Sequence, residues 1–551
     1  MINLVIVAGG KQTRFKDLSI FPKVLLPSAT SCSILKELID KTKNLDVSLK
    51  RWIVINTQYS EQLKTYIRVN GLQDDIEIIE STSTNGSFNT LNEIKSFLPT
   101  SNILFIWSDL SLDNFSKVLK TCEECSENGI LFTKSGQYRY GASGYALDDP
   151  RKRLLGNIYC SPSSEGNIPG LYFLKDLSIF DKTGFKEDEI KDLVDAIALN
   201  HNDKFEICDL KDIETELIEY RDLGVYKKYI KDNFKEDKLQ TRFFNSLSVD
   251  PTGKTMTKKA IDPGYVHLVK KEIDWYTKYE ALLGKDAELA TPRVYSFTED
   301  SFTMDYLATY KPLHEVLDSL EKSSSIKKIQ KLYQNIFKAV EKVSSASNII
   351  VPVDVFKRDL KKEIVTKVID RCENIKSFLV NYKKEELETI LEETFEDLVT
   401  FASNNGDFDV EMQTVEYWFC HGDLNGSNIL VDEDTLDVKF VDPRGYFGET
   451  KLYGWKPYEY AKLLYCLYGY DDFNVKPQIY GEDWPKLRQS IEYSGFRDEG
   501  FARGANYRSY QLLVGVIYVA LAGYISQDIM KANIAYDYGM RILKWTLGKE
   551  D

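Results

Sequence analysis

The sequence predicts two domains of different kinds, an α/β domain with a mostly parallel sheet and, after it, an α+β domain. Up to about residue 230, apolar runs of strand length alternate with helical patterns, as in parallel sheets whose strands are buried on both faces. Beyond that point a hairpin-like pattern gives way to helical spacing. The chain of 551 residues is also too long for a single core.

The first domain is expected to span residues 1–232. Its buried strands are predicted from continuous apolar runs at 4–7, 52–55 and 103–107. The charged stretch at 231–238 offers little to bury and therefore marks the boundary.

The second domain is expected to span residues 240–551, with a small lobe at about 240–310 and a larger lobe at about 311–551. The segments 242–250 and 255–262 predict a hairpin around a Pro-Thr-Gly turn. From about residue 315 the apolar residues keep helical spacing, so the larger lobe is expected to be mostly helical.

The net charge of −14 argues against nucleic acid as a partner, because phosphate backbones select basic surfaces. No apolar run approaches the roughly 20 residues that span a bilayer, and the N-terminus lacks the pattern of a secretory leader. The sequence therefore predicts a cytoplasmic protein with no membrane insertion, and it is compatible with a homo-oligomer.

Eight cysteines are scattered along the chain, which favours reduced thiols over a disulfide framework. Cys122 and Cys125 have the spacing of a metal-ligand pair, but no second pair accompanies them. We interpret them as part of a helix surface or edge rather than as a metal or redox site.

A turn rich in glycine, followed by basic residues, comes after the first predicted strand. A glycine pair lets backbone N–H groups approach a phosphate at the edge where open α/β sheets bind ligands, although a tight turn without a ligand explains the pair equally well. The spacing of the basic residues is more specific, since they would supply positive charge to a triphosphate. The residues concerned are Ala8, Gly9, Gly10, Thr13, Arg14 and, further on, Lys23.

This stretch resembles the opening signature of the sugar-phosphate and phosphocholine nucleotidyltransferases, a strand followed by Ala-Gly-Gly-x-Gly-Ser/Thr-Arg and then Pro-Lys. The chain matches it except at Gln12, where the family usually has glycine and where a side chain would narrow the phosphate loop. The resemblance implies a Rossmann-like fold that binds an NTP. CTP is favoured, because the domain is small for this family.

Later segments fit the same resemblance. Glu80 precedes the segment 85–91, which contains Gly86 and Ser87 and resembles the part of the family that cradles the base and the sugar. The segment 170–174 resembles the family's Gly-Ile-Tyr strand.

Two aspartates stand where that family holds a metal ion, Asp109 after the third predicted strand and Asp222 before a Leu-Gly pair. Attack by a phosphomonoester on the α-phosphorus of an NTP gathers negative charge. Mg²⁺ on the two aspartates would neutralise this charge, together with Lys23 and Arg14. A solvated loop end or a helix cap is the alternative for either aspartate taken alone.

The most specific motif of the chain begins at His421. Asp423 is followed five residues later by Asn428, and Asp442 comes after an apolar strand, which is the arrangement of kinases. Asp423 would orient the substrate hydroxyl or accept its proton, and Asn428 and Asp442 would hold Mg²⁺ on ATP. The His-Gly-Asp form resembles the aminoglycoside phosphotransferase and choline kinase superfamily, which implies a protein-kinase-like, two-lobed fold acting on small molecules.

The small lobe contains candidates for the remaining parts of an ATP site. A lysine that reaches the phosphates and pairs with a glutamate of the next helix is expected in this lobe. We assign these roles to Lys258 and Glu272, with Lys259 as an alternative because neighbouring side chains point to opposite faces of a strand. The strand that ends near Asp305 and Leu307 is expected to meet adenine through its backbone.

An aromatic-rich stretch follows the second aspartate of the motif. Its rings at 446–460 would either enclose a trimethylammonium group by cation–π attraction or, more commonly, pack in the core.

The order of the two activities follows from their chemistry, because a kinase produces a phosphomonoester and a nucleotidyltransferase consumes one. The resemblances therefore imply consecutive steps on a small alcohol, choline-like, polyol or sugar, with ATP and a second NTP as substrates. Such products commonly enter capsule or other surface polysaccharide. Two alternatives stay open: a kinase with a degenerate, regulatory N-terminal domain, motivated by Gln12, and a non-catalytic scaffold.

Overall fold

In the computed structural model the chain divides into two units. Unit 1 comprises Met1–Lys235 with the short segments Ile479–Gly481 and Ile525–Lys531, and unit 2 comprises the remainder. The structure describes residues 1–10, 13–29, 33–43, 45, 48–83, 86–112, 114–125, 128–132, 140–142, 158–159, 167–168, 170–181, 193, 205–209, 217–220, 222–234, 245–405, 407–409, 411–497 and 504–549.

A seven-stranded sheet forms the centre of unit 1, in the order β11-β6-β10-β4-β1-β2-β3. Only β10 runs antiparallel to its neighbours, so the prediction of a mostly parallel, Rossmann-like sheet is confirmed. Its strands are β1 (Ile2–Ala8), β2 (Leu49–Asn56), β3 (Glu77–Ser81), β4 (Ser101–Trp107), β6 (Asn128–Phe132), β10 (Leu171–Asp176) and β11 (Phe205–Asp209).

The central strands are apolar on both faces, because helices cover the sheet. Val5, Ile53 and Phe105, on three adjacent strands, are fully buried. The described helices of unit 1 are α1 (Ile34–Lys43), α2 (Ser60–Val69), α3 (Ser87–Glu93), α4 (Phe115–Glu124) and α5 (Leu223–Asn233). Smaller strands are β5 (Leu110–Leu112), β7 (Tyr140–Ala142), β8 (Ile158–Tyr159), β9 (Asn167–Ile168) and β12 (Leu217–Glu219).

Strand direction places the candidate residues of unit 1 at one edge of the sheet. β1 and β4 are adjacent and parallel, so Gly9 and Asp109 both emerge at their carboxyl ends. β5 begins directly after Asp109 and pairs antiparallel with β12, which ends three residues before Asp222, so the chain returns there to the neighbourhood of Asp109.

Unit 2 begins with a four-stranded antiparallel sheet, in the order β13-β14-β16-β15. A long helix, which lies between β14 and β15 in the chain, packs against this sheet. The predicted hairpin is confirmed, since β13 pairs with β14 around the Pro-Thr-Gly turn. The elements are β13 (Asn245–Val249), β14 (Thr255–Ala260), α6 (Val266–Leu283), β15 (Val294–Phe297) and β16 (Ser301–Asp305).

The rest of unit 2 is mostly helical, as expected. Its helices are α7 (Leu313–Lys322), α8 (Ile326–Ser344), α9 (Val353–Lys361), α10 (Lys367–Asn374), α11 (Lys384–Asn404), α12 (Lys456–Leu467), α13 (Tyr470–Val475), α14 (Gly504–Ala522) and α15 (Ile529–Thr546). Its strands are β17 (Tyr310–Pro312), β18 (Asn348–Pro352), β19 (Phe408–Asp409), β20 (Thr414–Phe419), β21 (Ile429–Asp432), β22 (Val438–Phe440), β23 (Tyr446–Phe447), β24 (Thr450–Lys451) and β25 (Tyr453–Gly454).

Among the helices that the structure describes, none combines the length and the apolar character needed to cross a bilayer.

Candidate active sites

The loop after β1 requires glycine at one of its two glycine positions. A Cβ on Gly9 would lie 2.8 Å from Thr90 Cγ2, because the loop passes directly against α3. A Cβ on Gly10 would meet nothing within 4 Å, and Ala8 is buried at the strand end. Gln12 lies outside the described residues.

The basic residues of this motif are only partly described. The backbone of Thr13 and Arg14 begins a 3₁₀ turn, but their side chains lie outside the described part of the chain. Lys23 is described, and it is mostly buried with its ammonium 4.4 Å from the centre of the Phe15 ring. The structure therefore places one of the two predicted cations.

Lys23 and Asp109 form an ion pair, with Nζ 3.1 Å from Oδ2. The other carboxylate oxygen, Oδ1, is buried and has no hydrogen-bond partner among the described residues. Leaving a buried anionic oxygen unpaired is costly, so a cation at this position would remove a free-energy penalty. The oxygen chemistry of Asp109 fits Mg²⁺.

Backbone pairing brings Asp222 close to the same position. The Tyr220 N–H donates to the Asp109 carbonyl at 2.7 Å, two residues before Asp222. Asp222 caps α5, since its Oδ1 accepts from the Val225 N–H at 3.0 Å. Asp222 is therefore a helix cap. A cap uses one carboxylate oxygen and does not prevent the second oxygen from binding a metal.

The side chain of Glu80 contacts α2 rather than the loop after β1. Its Oε1 accepts from Ser60 at 2.7 Å and lies 2.7 Å from the Lys64 ammonium. The hydrogen bond from Lys64, and then that from Ser60, lower the pKa of Glu80 below its ordinary value. Gly86 has a positive φ of 91° immediately before α3, and Ser87 Oγ accepts from the Leu193 N–H at 2.9 Å.

Sequence reasoning missed Glu93, which holds the chain before Gly86. Its carboxylate accepts hydrogen bonds from Ser81, Thr82 and Ser83. These bonds lower the pKa of Glu93 to about 2, and the hydroxyl groups of Ser81 and Thr82 contribute most. The only signal in the sequence was the run of small hydroxyl residues ahead of a helix.

In unit 2 the structure brings Lys258, Glu272 and Asp442 together. Lys258 Nζ lies 2.9 Å from Glu272 Oε2 and 2.8 Å from Asp442 Oδ1, and the lysine is 2% exposed. Burial alone would lower the pKa of Lys258, but the carboxylates of Asp442 and Glu272 outweigh it and raise that pKa. Lys259, on the other face of β14, is exposed and pairs with Asp300.

Asp442 and Asn428 are placed side by side at the ends of paired strands. The Val441 N–H donates to the Asn428 carbonyl at 3.0 Å, and β21 pairs with β22. Asp442 has a positive φ of 57°, an uncommon conformation for a residue other than glycine, and such conformations cluster at functional sites. Asn428 Nδ2 donates to the Asp423 carbonyl at 2.8 Å, which directs its side-chain oxygen away from that group.

Asp423 is held at both carboxylate oxygens. Oδ1 lies 3.0 Å from the Lys462 ammonium, and Oδ2 accepts from Asn425 Nδ2 at 3.2 Å. His421 anchors the same segment: its Nε2 donates to the Val441 carbonyl at 2.9 Å, and its Nδ1 accepts from the Asp423 N–H at 3.3 Å. Burial lowers the pKa of His421 to about 4, so the ring is neutral near pH 7 and both hydrogen bonds are kept.

Two residues of α12 were missed from the sequence. Glu459 Oε1 accepts from the Gly422 N–H at 2.8 Å, and burial raises the pKa of Glu459 to about 7. Lys462, one turn later, is the partner of Asp423. The available signal was three charged residues, Glu459 and Lys462 among them, in an otherwise apolar and aromatic helix.

The strand β16 leads into the segment expected to meet adenine. The Asp305 side chain accepts from the Arg293 N–H and the Tyr295 hydroxyl, and its own N–H donates to the Arg293 carbonyl. The Leu307 carbonyl accepts from Tyr310 at 3.0 Å, whereas its N–H has no partner among the described residues. Leu307, rather than the side chain of Asp305, therefore offers a backbone donor.

The aromatic rings after Gly445 do not enclose an open cage. Trp455, Tyr458 and Tyr460 are buried in the core of unit 2, as is Phe447. The face of Tyr446 is covered by the guanidinium of Arg444, 3.8 Å from the ring centre. The core-packing interpretation of these rings is therefore the one that fits.

Other metal chemistry finds little support among the described residues. They contain no cluster of three histidine, cysteine or acidic side chains suited to a metal ion. Cys122 and Cys125 are both buried rather than on a surface, and burial raises the pKa of Cys122, which makes its thiol unreactive. Sites with two ligands remain compatible with Mg²⁺, which binds one or two carboxylates and completes its shell with water and phosphate.

Comparison with known proteins identifies the N-terminal part of the chain. Residues 3–156 match the family model described as nucleotidyl transferase. Unit 1 contains a nucleotidyltransferase domain. No curated protein matches the chain significantly.

Several solved structures are similar to part of the chain. A UDP-glucose pyrophosphorylase with UDP-glucose is 13% identical, covering 42% of this chain and 97% of that chain, with a TM-score of 0.35. The inositol-1-phosphate CTP transferase from T. maritima is 12% identical, covering 43% and 98%, with a TM-score of 0.34. HddC from Yersinia pseudotuberculosis with GMP-PN is 17% identical, covering 42% and 99%, with a TM-score of 0.34.

Proposed function

We propose that this chain is a bifunctional enzyme. Unit 2 phosphorylates a small alcohol with ATP, and unit 1 then transfers a nucleotidyl group from an NTP to the phosphomonoester and releases pyrophosphate. The observation that carries the proposal is the convergence of Lys258, Glu272 and Asp442 on one buried ion-pair network beside Asp423 and Asn428. For unit 1 the support is the nucleotidyltransferase domain and the Lys23–Asp109 pair at the sheet edge.

In the nucleotidyl transfer, Asp109 and Asp222 are the residues that would hold Mg²⁺, which supplies positive charge to the phosphates when bound. The phosphomonoester oxygen attacks the α-phosphorus of the NTP, the bond to the β-phosphate breaks, and pyrophosphate leaves. Lys23, with its ammonium at the same place, would neutralise charge on the leaving group, and Arg14 would assist. CTP is the NTP we expect, from the small size of the domain.

In the phosphoryl transfer, the acceptor hydroxyl bonds to the γ-phosphorus of ATP, the bond to ADP breaks, and the hydroxyl proton passes to the Asp423 carboxylate. Asn428 and Asp442 would hold the Mg²⁺ of ATP, whose charge assists departure of ADP. Lys258, fixed by two carboxylates, would contact the ATP phosphates, and the Leu307 N–H would receive adenine.

The surroundings of Asp423 favour a hydroxyl-rich acceptor, a sugar or a polyol, over choline. Lys462 is bonded to Asp423, and Arg444, itself paired with Glu363, covers the face of Tyr446. A quaternary ammonium would therefore find no open aromatic cage among these described rings. The product would be an NDP-activated building block for surface polysaccharide.

The test uses two variants that separate the half-reactions. Purified protein with Mg²⁺, ATP and each NTP is assayed against sugars, polyols, choline and ethanolamine, with ADP and pyrophosphate measured independently. Asp423→Asn should abolish acceptor-dependent ADP formation, and Asp109→Asn should abolish pyrophosphate release while ADP formation continues. Asp300→Asn and Asp181→Asn, at exposed positions paired with other lysines, are the matched controls.

The outcomes separate the three functions. Pyrophosphate release that Asp109→Asn leaves unchanged, or that never occurs with any NTP, would contradict the nucleotidyltransferase half and leave a kinase with a regulatory domain. Wild-type protein that neither binds Mg–ATP nor forms ADP would favour the scaffold.

A further inference from the structure

The helix α12 lies along the predicted catalytic segment of unit 2. Its charged and polar residues repeat every three or four positions, so they share one face of the helix. That face contacts three successive residues of the segment. Glu459 accepts from the Gly422 N–H at 2.8 Å, Lys462 donates to Asp423 Oδ1 at 3.0 Å, and Cys466 Sγ lies 3.7 Å from the Leu424 carbonyl.

The ammonium of Lys462 is largely removed from water. Its side chain is 12% exposed and that of Asp423 is 20% exposed. Its Nζ lies 5.9 Å and 5.6 Å from the ring centres of Tyr458 and Tyr465. A charge pair in such surroundings is screened less than a pair at the surface.

The two oxygens of Asp423 have different partners. Oδ1 receives the charged donor, Lys462, whereas Oδ2 receives neutral amide donors at longer distances, 3.2 Å from Asn425 and 3.3 Å from Asn428. Charge-assisted hydrogen bonds are the stronger kind, so Lys462 fixes the rotation of the carboxylate. The more weakly held Oδ2 is then the oxygen that can exchange a donor for a substrate hydroxyl.

We propose that Lys462 is a positioning residue for phosphoryl transfer: its ammonium fixes the rotation of the Asp423 carboxylate and turns Oδ2 toward the acceptor hydroxyl. The proposal rests on the kinase activity proposed above. Lys462 acts through Asp423, so its removal should lower kcat and leave the KM for ATP unchanged.

Other ionisable groups also surround Asp423. Glu459 and Tyr458 face it from α12, His421 belongs to its own segment, and Asp442 follows the neighbouring strand. His421 is neutral near pH 7, and Lys258 compensates Asp442. Lys462 is the cation that the structure shows bonded to Asp423.

The test measures kcat for acceptor-dependent ADP formation and the KM for ATP, with full-length wild type and with Lys462→Met, Lys462→Gln and Lys462→Arg. For the Met and Gln variants we expect a loss of about 10- to 100-fold in kcat with an unchanged KM for ATP, because misplacing a catalytic group by about 1 Å costs a factor of that order. Lys462→Arg should restore most of the wild-type kcat.

Lys456→Met is the matched control, because Lys456 lies on the same helix but pairs with Glu341. Lys462→Gln keeps a polar side chain and serves where Lys462→Met does not fold, as judged by circular dichroism. A wild-type kcat in the folded Met or Gln variant, or an equal loss of kcat in Lys456→Met, overturns the proposal. Wild-type protein without acceptor-dependent ADP formation would instead refute the kinase activity on which it rests.

Discussion

Replacing Lys258 by methionine tests the buried network at the centre of the kinase proposal. The substitution removes the ammonium that lies 2.9 Å from Glu272 and 2.8 Å from Asp442. Glu272 is only 8% exposed, and the substitution leaves its carboxylate without the Lys258 cation. Asp442 is more exposed and can be solvated instead.

The expected loss follows from these distances. At 2.9 Å and an effective dielectric constant of about 20, the attraction between two unit charges is about 6 kcal/mol, much of which offsets desolvation. Breaking such a buried pair by removing one partner typically costs about 3–5 kcal/mol. We expect a loss of this size in the free energy of unfolding, and loss of acceptor-dependent ADP formation.

The assay is urea unfolding at pH 7.5, with Lys259→Met as the control, because Lys259 is exposed and pairs with Asp300. The double variant Lys258→Met/Glu272→Leu removes the orphaned carboxylate, so it should regain at least half of the lost stability while ADP formation stays absent. Wild-type stability in Lys258→Met, or ADP formation by the double variant, would refute the reasoning.

Gly9→Ala should raise the KM for the NTP at least tenfold, because the new Cβ would meet Thr90 Cγ2. Gly10→Ala should leave this KM unchanged, and adding Thr90→Ser to Gly9→Ala should bring it back toward the wild-type value. The pKa of His421 is about 4 in the folded protein against an ordinary 6.5, so about 3 kcal/mol of the free energy of unfolding should be lost as pH falls from 6.5 to 4. His421→Asn should flatten the plot of unfolding free energy against pH in this range, and an unchanged slope in that variant would contradict the prediction. Chelation by EDTA should stop both ADP and pyrophosphate formation, and Mg²⁺ should restore both; residual activity in EDTA would show that the aspartates do not act with a metal.

The sequence predicted the parallel sheet because its strands, such as β1, are apolar on both faces. It did not predict that β10 runs antiparallel, since apolar patterning carries no information on strand direction. In the same way, the alternation of a strand left Lys258 and Lys259 as alternatives, and only the position of Glu272 on the folded α6 separates them.

Contacts between distant segments account for what was missed. Lys462 is 39 positions from Asp423, and no local pattern encodes their contact. Glu80 follows the order of the family's motif, yet its side chain pairs with Lys64 on α2, because its place in β3 directs it to that helix. Motif order located the segments of both sites, whereas the orientation of individual side chains depended on packing.

The most direct test of the central claim follows one phosphorus atom through both steps. The protein is incubated with Mg²⁺, ATP labelled at the γ-phosphate, the acceptor found in the panel and unlabelled CTP or another NTP. We expect the label to pass first to a phosphomonoester and then into the nucleotide-linked product, while the released pyrophosphate stays unlabelled. Label that remains in the phosphomonoester with every NTP would show that the two units do not catalyse consecutive steps.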